Sequence, residues 1–356
     1  MPYQEPSMFL EHIGIIENHL KSELPVVVYR KPNTNEVISI FQHDSTLHHI
    51  NDFSEKGFVF APYNKKSPAV LIPADKIYSH EYQIRDFKFD TPNLGAISGE
   101  GRKYHIEIVN KGIEDIENNK FKKVVLSRKI VVPNNSSPIQ IFRKVLDSYL
   151  DAFCYLWYHP KIGLWIGATP ELLFLKQNST LVTMSLAGTK KSTNTNKPSW
   201  GKKEKEEQDM VTQHIVQQLS DYVPDLSIGK VNSVRAGSLW HLNTKIWGTI
   251  GDLALKSIIQ ALHPTPAICG FPVSEAEAFI KRNENYDREF YTGFLGELNI
   301  DNDKTSHLFV NLRCMQIKDD LAFLYIGGGI TAGSNAQQEW IETVHKSETM
   351  LNMIFN

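Results

Sequence analysis

Two acidic pairs, far apart in the chain, constrain its fold more than any other feature. Glu204 and Glu207 lie in KKEKEEQDMV, and Glu339 and Glu342 in AQQEWIETVHK. Each pair has i,i+3 spacing, which puts both carboxylates on one face of a helix. If the fold joins the two faces, they form an oxygen-only site that suits Mg²⁺ better than zinc. If it keeps them apart, they are solvated faces with ordinary intrahelical pairs, such as Glu342 with Lys346 at i,i+4. The sequence therefore needs a long helix over 202–221 and another over 336–353, with a scaffold that can bring them together.

That scaffold reads as mostly strand. Apolar runs at 26–30, 37–41, 57–63 and 69–73 open the chain. Further strands are predicted at 123–132, 153–159, 162–167, 171–176, 180–189, 228–235, 245–250, 291–300, 307–317 and 321–327. Helical patterning covers 102–118, 137–150 behind a capping Ser137, 252–262 and 274–284. Asp90 to Gly101 reads as a connector, and a Lys- and Asn-rich loop runs to Trp200. Strands outnumber helices and come in runs, which indicates α+β with large sheets rather than a doubly wound α/β fold. Residues 1–100 read as strand-rich scaffold and 101–356 as the region that carries chemistry. With 356 residues and 41% hydrophobic content, the chain can bury a sizeable core.

Composition narrows the partners. A net charge of −2 leaves no basic footprint for nucleic acid. Three cysteines without a CxxC pair argue against a disulfide scaffold or zinc ribbon and fit buried thiols in a reducing compartment. The N-terminus lacks a charged segment followed by an apolar run, and no apolar stretch reaches membrane-spanning length. The expectation is a cytoplasmic protein with no membrane partner.

Several other residues can carry chemistry. In KKVVLSR (122–128), period-2 alternation points Lys123, Val125 and Ser127 one way and Lys122, Val124, Leu126 and Arg128 the other. One lysine can thus be buried and serve as a base; alternatively, both blunt a strand edge. Glu171 follows Pro170 in GATPELLF, where a protonated carboxyl can donate to a leaving group or simply face solvent. SLAGTKK (185–191) and GGGITAGSN (327–335) read as glycine turns that offer backbone N–H groups to an anion, or as plain tight turns. Arg313 in LFVNLRCMQI reads as a strand cation that needs an anion, either a substrate carboxylate or a structural acid. His241 in LWHLNT is a second-tier candidate against a hydrogen-bonded core histidine.

Taken in order, KVVLSR, GATPELL, SLAGT, KExxEQ, LWHL, LHPTPAICGFP, YDREFYTGFLG, VNLRC, GGGI and EWIETxxK resemble the chorismate-utilising enzymes. The family includes anthranilate, aminodeoxychorismate, isochorismate and salicylate synthases, and the resemblance runs from Arg102 to the C-terminus. It implies one large domain of β-sheets packed face to face inside an outer coat of helices, with Mg²⁺ as cofactor and chorismate as substrate. By resemblance, Lys123 activates water and Glu171 protonates the departing C4 hydroxyl. Glu207 and Glu342 hold Mg²⁺, with Glu204 and Glu339 as companions. Arg313 and Lys346 bind substrate carboxylate, while Gly188, Thr189, His241, Ala267 and Gly328 contact the substrate. Gln208 departs from the family, where many members have His. The combination Lys123, Ala187 and Ala267 resembles the isochorismate-forming isomerases, which are often monomeric. A salicylate synthase and a non-catalytic chorismate-binding protein stay open as alternatives, as do menaquinone and siderophore synthesis as destinations of the product.

Overall fold

The computed structural model describes residues 7–85, 101–191, 198–236, 239–251, 255–301 and 305–355. Among them, two antiparallel sheets lie face to face. The first runs, in order, β15 (Gly270–Phe271), β7 (Lys123–Pro133), β19 (Leu321–Thr331), β18 (Cys314–Lys318), β9 (Gly163–Thr169), β8 (Phe153–His159), β1 (Val26–Arg30), β2 (Glu36–Phe41) and β6 (Lys76–Glu81). The second runs β12 (Ser227–Ile228), β14 (Leu239–Thr249), β11 (Thr180–Lys191), β10 (Leu172–Gln177), β17 (Ser306–Val310), β16 (Phe294–Leu298), β4 (Gly57–Ala61), β5 (Val70–Pro73) and β3 (His48–His49). β13 (Asn232–Ala236) also pairs with β14.

Period 2 explains the layering. In β1, Val27 and Tyr29 face the space between the sheets, whereas Val26 and Val28 face the helices outside. Both faces are buried, so such strands read as unbroken apolar runs. Outside the first sheet pack α1 (Ser7–Lys21), α3 (Pro138–Ser148) and α7 (Ala336–Phe355), with α2 (Arg102–Glu117) and α6 (Val273–Asn283) over β7 and β19. Outside the second pack α4 (Lys202–Leu219), through Val211, Ile215 and Leu219, and α5 (Leu255–Leu262). This is the expected α+β arrangement of packed sheets inside helices. α3 begins as the sequence indicates: Ser137 Oγ accepts from Gln140 N, and the Gln140 side chain accepts from Ser137 N. The three cysteines are free and buried.

Several expectations need correction. The predicted strand 307–317 is two strands in different sheets, β17 and β18. Asn311 to Arg313 turns the corner between them, with Arg313 at φ +48°. Arg313 is therefore a corner residue, not a strand residue. The glycines of GGGITAGSN are not a turn: Gly327, Gly328 and Gly329 lie within β19, opposite Ser127, Leu126 and Val125 of β7. SLAGTKK does not end its strand either. β11 continues to Lys191 through a bulge between Ala187 and Thr189, with Gly188 at φ +71°. Helix α1 and strands β3 and β6 had no counterpart in the sequence reading. Most of the 90–101 connector, part of the loop before Trp200 and the start of the 252–262 helix lie outside the described residues.

Candidate active site

Two neighbouring chain segments pass from one sheet to the other at the same level. Between β9 and β10 the chain crosses at Pro170 and Glu171; between β17 and β18 it crosses at Asn311 to Arg313. Thr169 Oγ1 donates to Val310 O at 2.6 Å, Val310 N to Glu171 O at 2.9 Å and Ala168 N to Arg313 O at 3.0 Å, so the corners are laced together. Both corners open into one cavity. Its walls include Glu171, Arg313, Gly188, Thr189, His241, Ala267, Gly328, Glu204, Glu207, Glu342 and Lys346. The two acidic helices thus do share a site.

Lys123 lies just behind that wall, 1% exposed, while Lys122 faces solvent. Its Nζ is 2.9 Å from Glu207 Oε1. The contact explains the glycine at position 329 of the neighbouring strand. A Cβ on Gly329 would stand 2.7 Å from Glu207 Oε1 and 3.0 Å from Lys123 Cε, so a side chain there would displace the pair. Gly188 is under a similar constraint, because its left-handed φ favours glycine and a Cβ would press on Glu204 Cβ at 3.1 Å.

Glu171 is 5% exposed. Burial pushes its pKa up to about 7, against the opposing pull of Lys123, Arg313 and Lys346. A carboxyl in that state can still hold a proton at neutral pH. His241 is the converse: burial, helped by Arg313 and Lys346, lowers its pKa to about 3, so the ring is neutral. Its Nδ1 lies 3.2 Å from Gly188 O and donates to it, leaving Nε2 as a buried acceptor with no partner among the described residues. Arg313 reaches Thr349 Oγ1 at 3.3 Å, and among the described residues no carboxylate lies within ion-pair distance of it. Lys346 does make the simple helical pair, 2.7 Å from Glu342, and also donates to Gly327 O at 2.9 Å.

The carboxylates suit a hard cation in kind, although among the described residues no three of them converge as a ligand group. Every donor is oxygen. Glu339 is raised above its usual range by burial and by the nearby charge of Glu342, a repulsion that a bound cation would relieve. Glu342 is held below its usual range because Lys346, Lys203 and Arg313 outweigh its burial. Each acid now rests on a basic group: Glu207 on Lys123, Glu342 on Lys346, and Glu339 on Lys203 at 2.6 Å. Glu204 accepts from Gly201 N and lies 3.9 Å from Lys190.

Known proteins bear on this site. A family described as "Chorismate binding enzyme" matches residues 76–355. The chain belongs to the chorismate-binding enzymes. It is 30% identical over 262 residues to isochorismate synthase MenF of Escherichia coli (strain K12), covering 70% of this chain and 59% of that protein. It is 28% identical over 282 residues to isochorismate synthase DhbC of Bacillus subtilis (strain 168), covering 70% of each. The fold is also that of solved structures. For a DhbC from Bacillus anthracis, described as a putative 2,3-dihydroxybenzoate-specific isochorismate synthase, the TM-score is 0.78 at 23% identity, over 95% of this chain and 98% of that one. For anthranilate synthase component I from Streptococcus pneumoniae TIGR4 it is 0.67 at 16% identity, over 92% of each.

In this chorismate-binding enzyme, sequence reasoning missed several cavity residues. Lys203 lines the wall and bridges α4 to Glu339 of α7. Its position beside Glu204 in KExxE was a usable signal. Tyr291 and Thr292 line the wall from YDREFYTGFLG, a motif that carried the resemblance without a role for either residue.

Proposed function

We propose that the protein is a Mg²⁺-dependent isochorismate synthase, adding water at C2 of chorismate as the C4 hydroxyl leaves. The observation that carries this reading is the meeting, in one cavity, of a buried carboxyl poised near neutrality with an arginine that has no acid within ion-pair distance among the described residues. Glu171 is suited to give a proton, and Arg313, beside Lys346, to bind a carboxylate.

Glu207 and Glu342 would hold the metal, with Glu204 and Glu339 behind them. When bound, Mg²⁺ would supply positive charge to a substrate carboxylate and stabilise charge that develops in the transition state. Lys123 serves as the base that takes a proton from water as the oxygen bonds to C2. The ring double bonds shift, the C4–O bond breaks, and Glu171 protonates the departing hydroxyl to water. His241 Nε2 accepts a hydrogen bond from a substrate hydroxyl, and Gly188, Thr189, Ala267 and Gly328 shape the floor. A cytoplasmic monomer completes the reading.

Purified protein incubated with chorismate and Mg²⁺, with products separated by mass spectrometry, tests it. Isochorismate supports the proposal. Salicylate without an added lyase identifies a salicylate synthase. An aminated product on adding ammonium identifies an ammonia-using synthase. Binding without turnover identifies a chorismate-binding protein with no catalysis.

A further inference from the structure

The motif YDREFYTGFLG carries a residue outside the chemistry above. Arg288 is buried, 3% exposed, directly after Asp287. All five N–H bonds of its guanidinium are used. Nε donates to Glu284 Oε2 at 2.8 Å, and Nη2 to Glu284 Oε1 at 2.6 Å and Val125 O at 2.7 Å. Nη1 donates to Ile268 O at 2.9 Å and reaches Thr292 Oγ1 at 3.4 Å. Val125, Ile268 and Thr292 all line the cavity, and they come from three separate stretches of chain. Glu284 extends the clasp by accepting from Ser127 N and Ser127 Oγ, both at 2.7 Å. Val125 and Ser127 share a face of β7 with Lys123, and Ile268 follows Ala267.

We propose that Arg288 is a positioning residue that braces the Lys123 strand and the Ala267 wall, which already meet through Val125 N donating to Cys269 O at 2.8 Å, against the Thr292 side of the cavity. This rests on the functional reading only in assigning the consequence to catalysis. The groups offered for substrate carboxylate and metal, Arg313, Lys346, Glu207 and Glu342, make no bond to Arg288. Loosening the clasp therefore moves the base relative to the substrate while leaving the substrate's anchors in place. Lysine cannot replace arginine here, because three donors on a flexible stem cannot reach two carbonyls and a bidentate carboxylate at once.

The test compares wild type with Arg288→Lys and with the double variant Arg288→Met/Glu284→Gln. The double variant removes both buried charges together, and the amide oxygen it places at position 284 can still accept from Ser127. In both variants kcat falls about 10- to 100-fold, the scale expected of a displacement near 1 Å. The calorimetric Kd for chorismate stays within about 2-fold, since its anchors are untouched. Amide hydrogen exchange quickens over 122–127 and 265–271 and stays as in wild type across the aromatic layer between the sheets. Wild-type kcat in the double variant overturns the proposal, as does exchange that quickens everywhere or Kd that weakens in step with kcat. If wild type neither binds nor converts chorismate, the functional reading falls, and the exchange pattern alone decides whether Arg288 clasps these walls.

Discussion

The two sheets enclose two very different regions. Away from the cavity the space between them is filled with rings: Phe153 stacks on Phe309 at 4.4 Å and Phe60 on Phe290 at 4.3 Å, with Tyr29, Phe58, Trp157 and Trp165 around them. The acid there, Glu297, is closed off by Tyr29 OH at 2.6 Å and Lys31 at 2.8 Å. In the cavity region the same sheets present acids and bases at close quarters. Among the described residues, they also present an arginine with no acid within ion-pair reach and a histidine nitrogen without a partner. Burial of apolar area stabilises the first region. The second spends stability on charges that a bound dianion and a divalent cation would neutralise.

The contrast predicts that changes in the cavity cost activity and changes in the ring layer cost stability. Chelation of metal by EDTA, or Glu342→Gln, is expected to abolish turnover with little change in melting temperature. Activity that persists in EDTA removes the metal from the proposal. Lys123→Gln is expected to lower kcat by about 10²–10⁴ while the fold survives, the range for losing a general base. Product formation measured beside thermal unfolding checks it, and near-normal turnover would take Lys123 out of the mechanism. In the ring layer, Phe58→Ala should cost about 3–5 kcal/mol in urea unfolding, with activity per folded molecule preserved. Phe58 is fully buried, 5.1 Å from the Tyr29 ring. A loss of kcat without a loss of stability in that variant would break the comparison.

Glu171 supplies a finer test, because its pKa is raised to about 7. It donates only while protonated, so kcat/KM is expected to fall as pH rises through about 7, by about tenfold per unit beyond it. Stability has the same sign. A carboxyl raised above its unfolded value favours the folded state while protonated, and that contribution is lost as pH rises from the ordinary carboxylate range through about 7. Glu171→Gln should remove turnover and flatten this part of the stability profile. An unchanged slope would show that Glu171 does not titrate there.

Much of this contrast could be read from the chain. The i,i+3 acids located both helix faces, and period 2 in KKVVLSR separated buried Lys123 from exposed Lys122. Other features were hidden for physical reasons. LFVNLRCMQI reads as one strand because both sheets bury their strands on two faces, so a change of sheet leaves the apolar run intact. The corner depends on a positive φ at Arg313, a residue type that gives no warning of it. The three glycines of β19 look like a turn because glycine is the commonest turn residue. At Gly329 the actual reason is the room taken by Lys123 and Glu207 from elsewhere in the chain. Arg288 was hidden because the i,i+4 spacing to Glu284 reads as an ordinary ion pair, while its links to the cavity walls run to the Ile268 and Val125 carbonyls, which no side-chain pattern encodes.

The smallest expected effect is also a clean control on the division between the two regions. Ser137 caps α3 on the outer face of the first sheet, where Ile141, Phe142 and Val145 pack into the core. Its hydroxyl satisfies one of the N–H groups that the first helical turn leaves without a carbonyl partner, and Gln140 returns the bond. Ser137→Ala removes the cap and no core contact, so about 1 kcal/mol of stability should be lost. None of the cavity walls includes α3. The variant should therefore unfold at lower urea with an unchanged slope and turn over chorismate at the wild-type rate. If kcat drops instead, the helices outside the first sheet are coupled to the acids of α7. The boundary between stabilising and reacting regions would then have to be redrawn to include them.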